Sequence, residues 1–342
     1  MDNYDIQFSI SKAQNIKESN MLNKKKVVFL DYGTFPSEVK LKKIDVPYDM
    51  VCYVRTTKAE IAERVKDAEV IIVNKVKITR EIINIAKKLE FIAIAATGTD
   101  IVDLEACKER GIVVSNIRNY AIDTVPEHTF ALMLALRRSI TAYHQAVQKG
   151  RWIQSEQFCF FDYPIKNLSG ATLGIIGDGV LGKRVAELAK AFGMKVLFAS
   201  YKGVHNMGPL YTEFDQVIQE SDIITIHCPL LKSTKDMISE REFNMMKKEA
   251  LLINTARGGI VNEADLYNAI TKGTIAGAAF DVAVNEPPGK DELIMKLTSL
   301  SNFILTPHIS WASIEAIQTL ADMLIDNINA YLAGNPVNIV IK

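Results

Sequence analysis

Three glycines spaced as G-x-G-x-x-G constrain the fold of this chain more than any other feature of its sequence. They are Gly177, Gly179 and Gly182; they follow an apolar stretch over residues 171–176 and open a helical pattern over residues 180–192. In a unit of this kind the glycines permit a tight turn, the approach of the backbone to a pyrophosphate, and close packing of the helix on the strand. The sequence therefore predicts a dinucleotide-binding unit.

The acidic residue expected after this fingerprint is missing. An Asp or Glu about 20 residues further on bonds the ribose 2′-hydroxyl of NAD, whereas the next predicted strand, residues 195–199, ends in Ser200, Tyr201 and Lys202. Ser200 does not repel a 2′-phosphate, and Lys202 offers it a positive charge. The cofactor is therefore NAD or NADP, and these two residues favour acceptance of NADP. In the alternative interpretation, Ser200 bonds the ribose of NAD while Lys202 points to solvent.

Short apolar runs alternate with helical patterns along most of the chain, which is typical of βα units and parallel sheets. The chain has 342 residues, enough for two domains. We therefore expect an α/β protein with two doubly wound parallel sheets. The predicted strands are 27–30, 51–54, 70–73, 91–95 and 112–114 in the first set, and 173–176, 196–199, 223–226, 251–253, 276–280 and 303–305 in the second.

The second set of strands is complete by residue 305, so the last predicted helix, residues 314–333, is free to return to the first domain. The prediction is a discontinuous substrate domain, residues 24–119 plus 309–342, and a dinucleotide domain over residues 120–308. Residues 1–23 are polar and rich in asparagine, and we expect them to form a poorly ordered N-terminal extension.

One long helix is predicted between the two sets, over residues 125–148. Its segment 130–136 is apolar around the whole circumference. A helix of this kind is buried on all sides, so we expect it to lie between domains or across a subunit interface.

Composition excludes several classes of partner. Forty basic residues balance forty acidic ones, so there is no electrostatic basis for binding nucleic acid or an anionic membrane. No apolar run approaches the roughly 20 residues of a membrane-spanning helix. The cysteines are scattered and lack metal-ligand spacing, which predicts free thiols in a reducing cytoplasm and no metal site. They are Cys52, Cys107, Cys159 and Cys228.

Four polar side chains follow the last strands of the second set, where an open α/β sheet binds its ligands. Arg257 lies in a loop with a double glycine and can bind a carboxylate with two parallel hydrogen bonds. Asp281 ends the next strand and can bond a nicotinamide carboxamide, while Glu286 can orient a histidine. His308 closes the last strand and suits a general acid–base near neutral pH.

Each of these residues alone has an ordinary alternative as a loop or structural side chain. Together, Arg257, His308 and Glu286 form the minimum set for reducing a 2-oxo acid: one residue anchors a carboxylate, one transfers a proton, and one tunes the proton carrier.

At this point the chain resembles a known family. The segments 174–182, 254–259, 281–288 and 306–311 look like the successive signatures of the D-isomer-specific 2-hydroxyacid dehydrogenases. The resemblance runs from about residue 24 to the C-terminus. Four further segments resemble the bacterial glycerate dehydrogenase (hydroxypyruvate reductase) branch of that family; they are 73–76, 95–100, 158–159 and 308–312.

The resemblance implies a flavodoxin-like substrate domain, a Rossmann dinucleotide domain and a homodimer built around helix 125–148. It assigns the substrate carboxylate to Arg257, acid–base catalysis to His308 and its support to Glu286. The implied substrate cradle includes Val76, Thr97, Gly98, Arg257, His308 and Trp311. The implied cofactor contacts are Gly177, Asp178, Gly179, Val180, Leu181, Gly182, Ser200, Lys202, Cys228, Pro229, Thr234, Thr255, Ala256, Arg257 and Asp281.

The implied reaction interconverts a small 2-oxo acid and its D-2-hydroxy acid in a cleft between domains. Hydroxypyruvate and D-glycerate are the favoured pair, with glyoxylate and glycolate also open. Two other possibilities stay open. One is a dinucleotide-sensing, corepressor-like protein, which needs the cofactor site but not the three catalytic residues. The other is an enzyme of the same family that acts on formate, phosphite, D-lactate or phosphoglycerate.

Overall fold

The computed structural model describes residues 24–341, so the N-terminal extension predicted at residues 1–23 lies outside the described part. The chain divides into two compact units. Of the described residues, unit 1 contains 24–120 and 313–341, and unit 2 contains Ala121–Ala312.

Unit 1 is built on a six-stranded sheet. Its strands are β1 (Lys25–Phe29), β2 (Tyr48–Cys52), β3 (Val70–Val73), β4 (Phe91–Ile94), β5 (Val113–Ser115) and β13 (Ile339–Ile341). They lie in the order β2-β1-β3-β4-β5-β13, and only β13 is antiparallel to its neighbour. The first five strands follow the flavodoxin-like order, which confirms the predicted fold of this unit. Strands β3 and β4 are wholly buried, as expected for a parallel sheet covered by helices.

The chain returns to unit 1 at its end. The helices of this unit are α1 (Ile61–Val65), α2 (Arg80–Ile85), α3 (Leu104–Glu109) and α12 (Ile314–Leu332). The ring of Tyr331 on α12 stacks on Phe91 of β4, with centroids 4.3 Å apart. Asn327, also on α12, is buried and donates to the carbonyl oxygen of Asn116. The last helix therefore completes the core that residues 24–120 begin.

Unit 2 is built on a seven-stranded parallel sheet. Its strands are β6 (Thr172–Ile176), β7 (Lys195–Ala199), β8 (Tyr211–Thr212), β9 (Ile223–Ile226), β10 (Leu251–Asn254), β11 (Gly277–Phe280) and β12 (Phe303–Leu305). They lie in the order β8-β7-β6-β9-β10-β11-β12. Counted within the unit this is 3-2-1-4-5-6 with one further strand, the Rossmann arrangement, which confirms the predicted fold. The sequence missed β8 because two residues leave no recognisable pattern.

The predicted helix 125–148 is wrong as a single element. The structure has α4 (Thr124–Arg137) and α5 (Ile140–Gln148), separated at Ser139, which has a φ of +50°. The Ser139 hydroxyl donates to the carbonyl oxygen of Pro164 at 2.6 Å, and this bond holds the break against a neighbouring loop. No glycine or proline lies at the break, so the local sequence carried no signal for it.

The other helices of unit 2 lie between its strands or after α5. They are α6 (Arg151–Ser155), α7 (Val180–Ala191), α8 (Phe214–Glu220), α9 (Glu240–Met245), α10 (Glu263–Thr271) and α11 (Leu293–Leu297). In residues 24–341 no helix has both the length and the apolar character to cross a membrane. The same residues contain no group of three potential metal ligands.

The boundary between the units differs from the prediction at both ends. Tyr120 belongs to unit 1, and residues 309–312 belong to unit 2 rather than to the substrate domain. The cause of the second difference is Asp281, whose carboxylate accepts hydrogen bonds from the backbone N–H groups of Ile309 and Ser310. These bonds attach the segment to the end of β11.

Candidate active site

The glycine-rich loop joins β6 to α7 and has the close backbone packing that its sequence predicts. Gly177 has a φ of +109°, and a Cβ there would lie 2.5 Å from the carbonyl oxygen of His227. A Cβ on Gly182 would lie 2.0 Å from the carbonyl oxygen of Gly177. A side chain at Gly177 would collide with the loop after β9, and one at Gly182 would push the helix away from the glycine-rich turn, so only glycine fits at either position.

The outer side of this loop fits the phosphates of a dinucleotide. A Cβ on Gly179 would meet no atom within 4 Å among the described residues. Within residues 24–341, no side chain caps the start of α7, which is a helix of 12 residues. Val180, which is exposed, and Leu181, which is half-buried, form its first turn. Uncapped N–H groups at the start of such a helix attract anions.

Asp178 bonds to the neighbouring strand β8. The Tyr211 hydroxyl donates to Asp178 Oδ2 at 2.6 Å, and this bond holds the pKa of the Asp178 carboxyl below its usual value. Strand β8 in turn pairs with β7, so the bond ties the glycine-rich loop to the edge of the sheet. Sequence reasoning missed Tyr211 for the same reason that it missed β8.

Ser200 does not present its hydroxyl as the sequence predicted. The residue is only 3% exposed, and its Oγ accepts a hydrogen bond from the backbone N–H of Phe214 at 3.1 Å. Its own backbone N–H donates to the carbonyl oxygen of Thr212. Ser200 therefore joins β7 to β8 and α8, and it is not placed as a phosphate donor.

Lys202 is also engaged within the protein. Its Nζ donates to Glu242 Oε1 at 2.8 Å and to the carbonyl oxygen of Met237 at 2.8 Å. Both side chains thus bond to other parts of unit 2, and their positions do not support the expectation that Ser200 and Lys202 together favour NADP.

The loop after β9 lies beside the glycine-rich loop, because Gly177 packs against the carbonyl oxygen of His227. Its shape is held by Thr234, whose hydroxyl donates to the carbonyl oxygen of Pro229 and accepts from the N–H of Leu231, each at 2.7 Å. Burial raises the pKa of the Cys228 thiol to about 11. This thiol is therefore protonated and unreactive at neutral pH.

Asn254 shapes the turn at the end of β10. Its buried side chain donates to the carbonyl oxygen of Arg257 and accepts from the N–H of Ala256, both at 3.0 Å. The next residue, Thr255, bonds through its hydroxyl to that of Thr129 on α4 at 3.0 Å. The turn that carries Arg257 is therefore fixed on both sides.

Arg257 is half-buried at this turn, with its Nη1 donating to the carbonyl oxygen of Ala256 at 2.7 Å. The chain after it packs against the loop that follows β11: a Cβ on Gly258 would lie 1.9 Å from the carbonyl oxygen of Ala283. The glycine predicted to let the backbone turn therefore has a second use, which is to let two site loops touch.

Asp281 has a different role from the one predicted. It is fully buried, and its carboxylate accepts from the Thr306 hydroxyl at 2.6 Å and from the N–H groups of Ile309 at 2.9 Å and Ser310 at 2.8 Å. Both carboxylate oxygens are thus used to hold the loop on either side of His308. Asp281 is a positioning residue in this structure, and a carboxamide bond from it is not supported.

His128 on α4 joins the same network, which sequence reasoning did not detect. Its Nε2 lies 3.1 Å from the Thr306 hydroxyl and 3.7 Å from Asp281 Oδ1. A histidine inside a helical pattern gives no sign of such a partner, because the contact joins positions 178 residues apart.

His308 and Glu286 form an ion-pair geometry at the ends of β12 and β11. His308 Nδ1 lies 2.7 Å from Glu286 Oε2, and Glu286 Oε1 accepts from the N–H of Ala283 at 3.1 Å. His308 has a φ of +54°, and the indole N–H of Trp311 donates to its carbonyl oxygen at 2.9 Å. With Nδ1 directed to Glu286, the imidazole has Nε2 left for proton exchange with a ligand.

In unit 1, the turn predicted to contribute Val76 is held by a buried carboxylate. Asp31, 5% exposed, accepts hydrogen bonds from the backbone N–H groups of Asn74, Lys75 and Val76. Burial raises the pKa of this carboxyl, although the three N–H donors oppose the shift. The Val76 N–H thus holds this turn, and the substrate contact predicted near Val76 stays a prediction.

Thr97 and Gly98 follow β4 in the same unit. The Thr97 hydroxyl donates to the carbonyl oxygen of Ile117, and its own carbonyl oxygen accepts from the Asn116 side chain, both at 2.8 Å. These bonds hold the segment at the end of the strand, where parallel sheets place ligands.

Three neighbouring strands of unit 2 thus carry the three predicted catalytic residues. Arg257 follows β10, Glu286 follows β11 and His308 follows β12, and these strands are adjacent in the sheet. A guanidinium can hold a carboxylate, and a histidine paired with a glutamate can deliver and recover a proton. Beside a dinucleotide loop, this set is suited to oxidation and reduction of a carboxylate-bearing substrate.

Comparison with known proteins agrees with this description. Residues 130–310 match the family described as D-isomer specific 2-hydroxyacid dehydrogenase, NAD binding domain. A glycerate dehydrogenase of Methylorubrum extorquens is 49% identical over 92% of this chain and 99% of its own length. A hydroxypyruvate reductase of Blautia hydrogenotrophica is 35% identical over 93% of this chain and 100% of its own. The chain belongs to the D-isomer-specific 2-hydroxyacid dehydrogenases, which confirms the family predicted from the motifs.

Solved structures show the same architecture. The D-lactate dehydrogenase of Aquifex aeolicus, complexed with NAD and lactic acid, superposes with a TM-score of 0.79 at 30% identity and covers 92% of this chain and 99% of that one. Members of this family use a nicotinamide dinucleotide, and the glycine-rich loop of unit 2 fits that cofactor.

Proposed function

We propose that this chain interconverts hydroxypyruvate and D-glycerate, with glyoxylate and glycolate as a second substrate pair. The observation that carries the proposal is the 2.7 Å contact between His308 Nδ1 and Glu286 Oε2, beside the turn that bears Arg257. The choice of substrate is supported by the relatives named glycerate dehydrogenase and hydroxypyruvate reductase.

In the reduction, each of the three residues acts on a different part of the substrate. Arg257 pairs with the carboxylate and fixes the orientation of the 2-oxo group. His308 Nε2 gives its proton to the carbonyl oxygen, and the Glu286 carboxylate stabilises the imidazolium before transfer. The bound nicotinamide supplies the hydride that the 2-carbon accepts. In the oxidation, His308 takes the hydroxyl proton back.

Further contacts complete the proposed site. We assign backbone donors for the substrate carboxylate to Thr97 and Gly98, and a wall of the substrate pocket to Trp311. The cofactor phosphates are assigned to the loop from Gly177 to Gly182. The remaining proposed cofactor contacts are Cys228, Pro229, Thr234, Thr255 and Ala256.

NAD is the proposed main cofactor. Ser200 is buried and Lys202 is paired with Glu242, so neither is ready to meet a 2′-phosphate. This proposal replaces the expectation from sequence that these two residues favour NADP.

A substrate panel tests the proposed function. The purified chain is assayed with NADH or NADPH and each of hydroxypyruvate, glyoxylate, pyruvate and 2-oxoglutarate. We expect the highest kcat/KM with NADH and hydroxypyruvate and the next highest with glyoxylate. Turnover of none of the four would refute the proposal and favour the dinucleotide-sensing alternative; preference for pyruvate would identify another activity of the same family.

We also propose a homodimer, formed through α5, α6 and the loop that follows them. This part of unit 2 exposes large apolar side chains whose exposed fractions run from 49% to 89%, an arrangement typical of a protein interface. They are Ile140, Trp152, Ile153, Phe158 and Phe161.

Sedimentation velocity measures the assembly directly. We expect the wild type to sediment as a dimer at micromolar concentration, and the double variant Phe158→Ser, Phe161→Ser to shift towards the monomer because the buried apolar area is lost. A monomeric wild type would refute the dimer.

The cytoplasm is the proposed location. All four cysteines are free thiols. Two of them are protonated and unreactive at neutral pH, because burial raises the pKa of Cys107 to about 12 and that of Cys228 to about 11. Free thiols persist in a reducing compartment.

A further inference from the structure

Glu242 on α9 is a carboxylate with no exposed surface. Its Oε1 accepts from Lys202 Nζ and from Arg241 Nη1, each at 2.8 Å. Its Oε2 accepts from the backbone N–H and hydroxyl of Ser239, the capping box that begins α9. Burial alone would raise the pKa of Glu242, but these donors outweigh it and hold the pKa below its usual value, so the carboxylate is charged at neutral pH.

Lys202 lies where the fold would place the far end of the cofactor. It is the third residue after β7, which is the second strand of the Rossmann order and the strand whose end faces the adenosine ribose. Its side chain is 33% exposed, so it reaches the surface of unit 2 while its Nζ is turned inward to Glu242 and the carbonyl oxygen of Met237. A lysine at this turn with a free ammonium would attract a 2′-phosphate.

We propose that Glu242 is a positioning residue that withholds Lys202 from the cofactor and so makes the chain discriminate against NADP. Glu242, 42 positions after Ser200, thus takes the place of the acid that is missing at Ser200. It acts through Lys202 rather than on the ribose itself. The inference depends on one part of the proposed function, which is that a nicotinamide dinucleotide binds at the glycine-rich loop.

The energetics favour the inward position of Lys202. If Lys202 turned to a 2′-phosphate, the fully buried Glu242 would keep Arg241 as its one remaining cation, and an uncompensated buried carboxylate is costly. Arg241 would compensate Glu242 only in part, because its guanidinium is already shared with Asp215 through two contacts. Removing the charge of Glu242 removes this penalty and frees the ammonium.

Two substitutions and their combination test the proposal by binding alone. Glu242→Gln keeps the capping box with Ser239, since glutamine serves at that position as well as glutamate, and it removes the charge that holds Lys202. Lys202→Gln removes the ammonium. The dissociation constants of NADPH and NADH are measured by cofactor fluorescence in the absence of any 2-oxo acid, for the wild type, both single variants and the double variant.

The expected changes in the dissociation constants of NADPH and NADH are specific to a lysine that Glu242 holds away from the cofactor. Glu242→Gln should tighten NADPH by about 10-fold, the size of one charge-assisted hydrogen bond gained, while NADH changes by less than about 2-fold. Lys202→Gln alone should leave the ratio of the two constants within about 2-fold of wild type. The double variant should return to the wild-type ratio, because the gain depends on Lys202.

Glu220→Gln is the matched control. It removes another glutamate of unit 2 that pairs with a lysine, Lys195, but this pair is on the surface and 3.8 Å apart. It should change neither constant. Thermal unfolding of each variant identifies any that does not fold. Lys202→Gln alters a side chain that is one-third exposed. If Glu242→Gln is unstable, a large loss of NADPH binding in Lys202→Gln would still overturn the proposal.

Three results in the variants would overturn the proposal. One is unchanged NADPH binding in a folded Glu242→Gln, which would mean that Glu242 does not withhold Lys202. Another is a large loss of NADPH binding in Lys202→Gln alone, which would mean that Lys202 already contacts the phosphate. The third is a gain in Glu242→Gln that persists in the double variant, which would mean that Glu242 acts by its own charge. Binding of neither dinucleotide to the wild type would overturn the cofactor assignment and this proposal together, whereas failure to turn over hydroxypyruvate would leave the binding result intact.

Discussion

Replacing His308 with alanine should lower kcat for hydroxypyruvate by about 10²- to 10⁴-fold, the usual contribution of general acid–base catalysis. The reason is that the substitution removes the proposed proton donor, the imidazole that Glu286 holds through Nδ1 at 2.7 Å. The dissociation constant for NADH should change little, since the glycine-rich loop is untouched. Steady-state kinetics and cofactor fluorescence measure the two quantities on the same preparation.

His205→Ala is the control for this variant. Its ring is 75% exposed and also lies 2.6 Å from a glutamate, Glu213, so the substitution removes a histidine–glutamate pair that has no proposed part in catalysis. Its kcat should match the wild type. Addition of imidazole should restore part of the activity of His308→Ala and have no effect on the control. Near-normal turnover by His308→Ala would refute the assignment of the proton carrier.

The second large effect is expected at Arg257. Arg257→Ala should lower kcat/KM for hydroxypyruvate by about 10²- to 10⁴-fold, because two charge-assisted hydrogen bonds to the carboxylate, worth about 1.5–3 kcal/mol each, are lost. Most of this loss should be a rise in KM. The value of kcat should also fall, to the extent that the bound substrate is misoriented. Saturation curves for the 2-oxo acid at fixed NADH measure it.

Arg257→Lys separates charge from geometry. Lysine keeps the positive charge but not the planar pair of donors, so it should recover only part of the loss. Backbone damage is not expected in either variant, because Asn254 holds the turn with two hydrogen bonds, whereas the guanidinium contributes one, to the carbonyl oxygen of Ala256. Unchanged KM and kcat in Arg257→Ala would rule out its role as the carboxylate anchor.

The fold class could be predicted from sequence because it depends on patterns that repeat. The apolar runs over residues 70–73 and 223–226 coincide with the wholly buried strands β3 and β9, and the glycine spacing identifies the first βα unit of the Rossmann sheet. The return of the last helix also followed from counting strands. In each case the information lies in a local period or a fixed spacing.

The features that were missed depend on contacts between distant residues. The break at Ser139 is held by Pro164, and Ser200 is buried because it bonds to Phe214. Neither residue carries a local signal of its partner. The same limit applies to Asp281 and Val76, whose loop-bracing bonds the sequence did not predict, since a side chain or amide that ends a strand is as well placed to brace a loop as to bind a ligand.

The three catalytic residues were predictable for a different reason. Their residue types are unusual at strand ends, and each supplies a separate part of one reaction, so the set is more specific than any member. The sequence placed Arg257, Glu286 and His308 on successive loops; the structure adds that their strands β10, β11 and β12 are neighbours, and that His308 and Glu286 are in hydrogen-bond contact.

The central claim is that this site reduces a 2-oxo acid to the D-hydroxy acid. It is tested most directly by incubating the purified wild type with NADH and hydroxypyruvate, following NADH oxidation, and determining the configuration of the product by chiral chromatography. We predict stoichiometric oxidation of NADH and formation of D-glycerate alone. Formation of L-glycerate, or no oxidation of NADH while the cofactor binds, would contradict it.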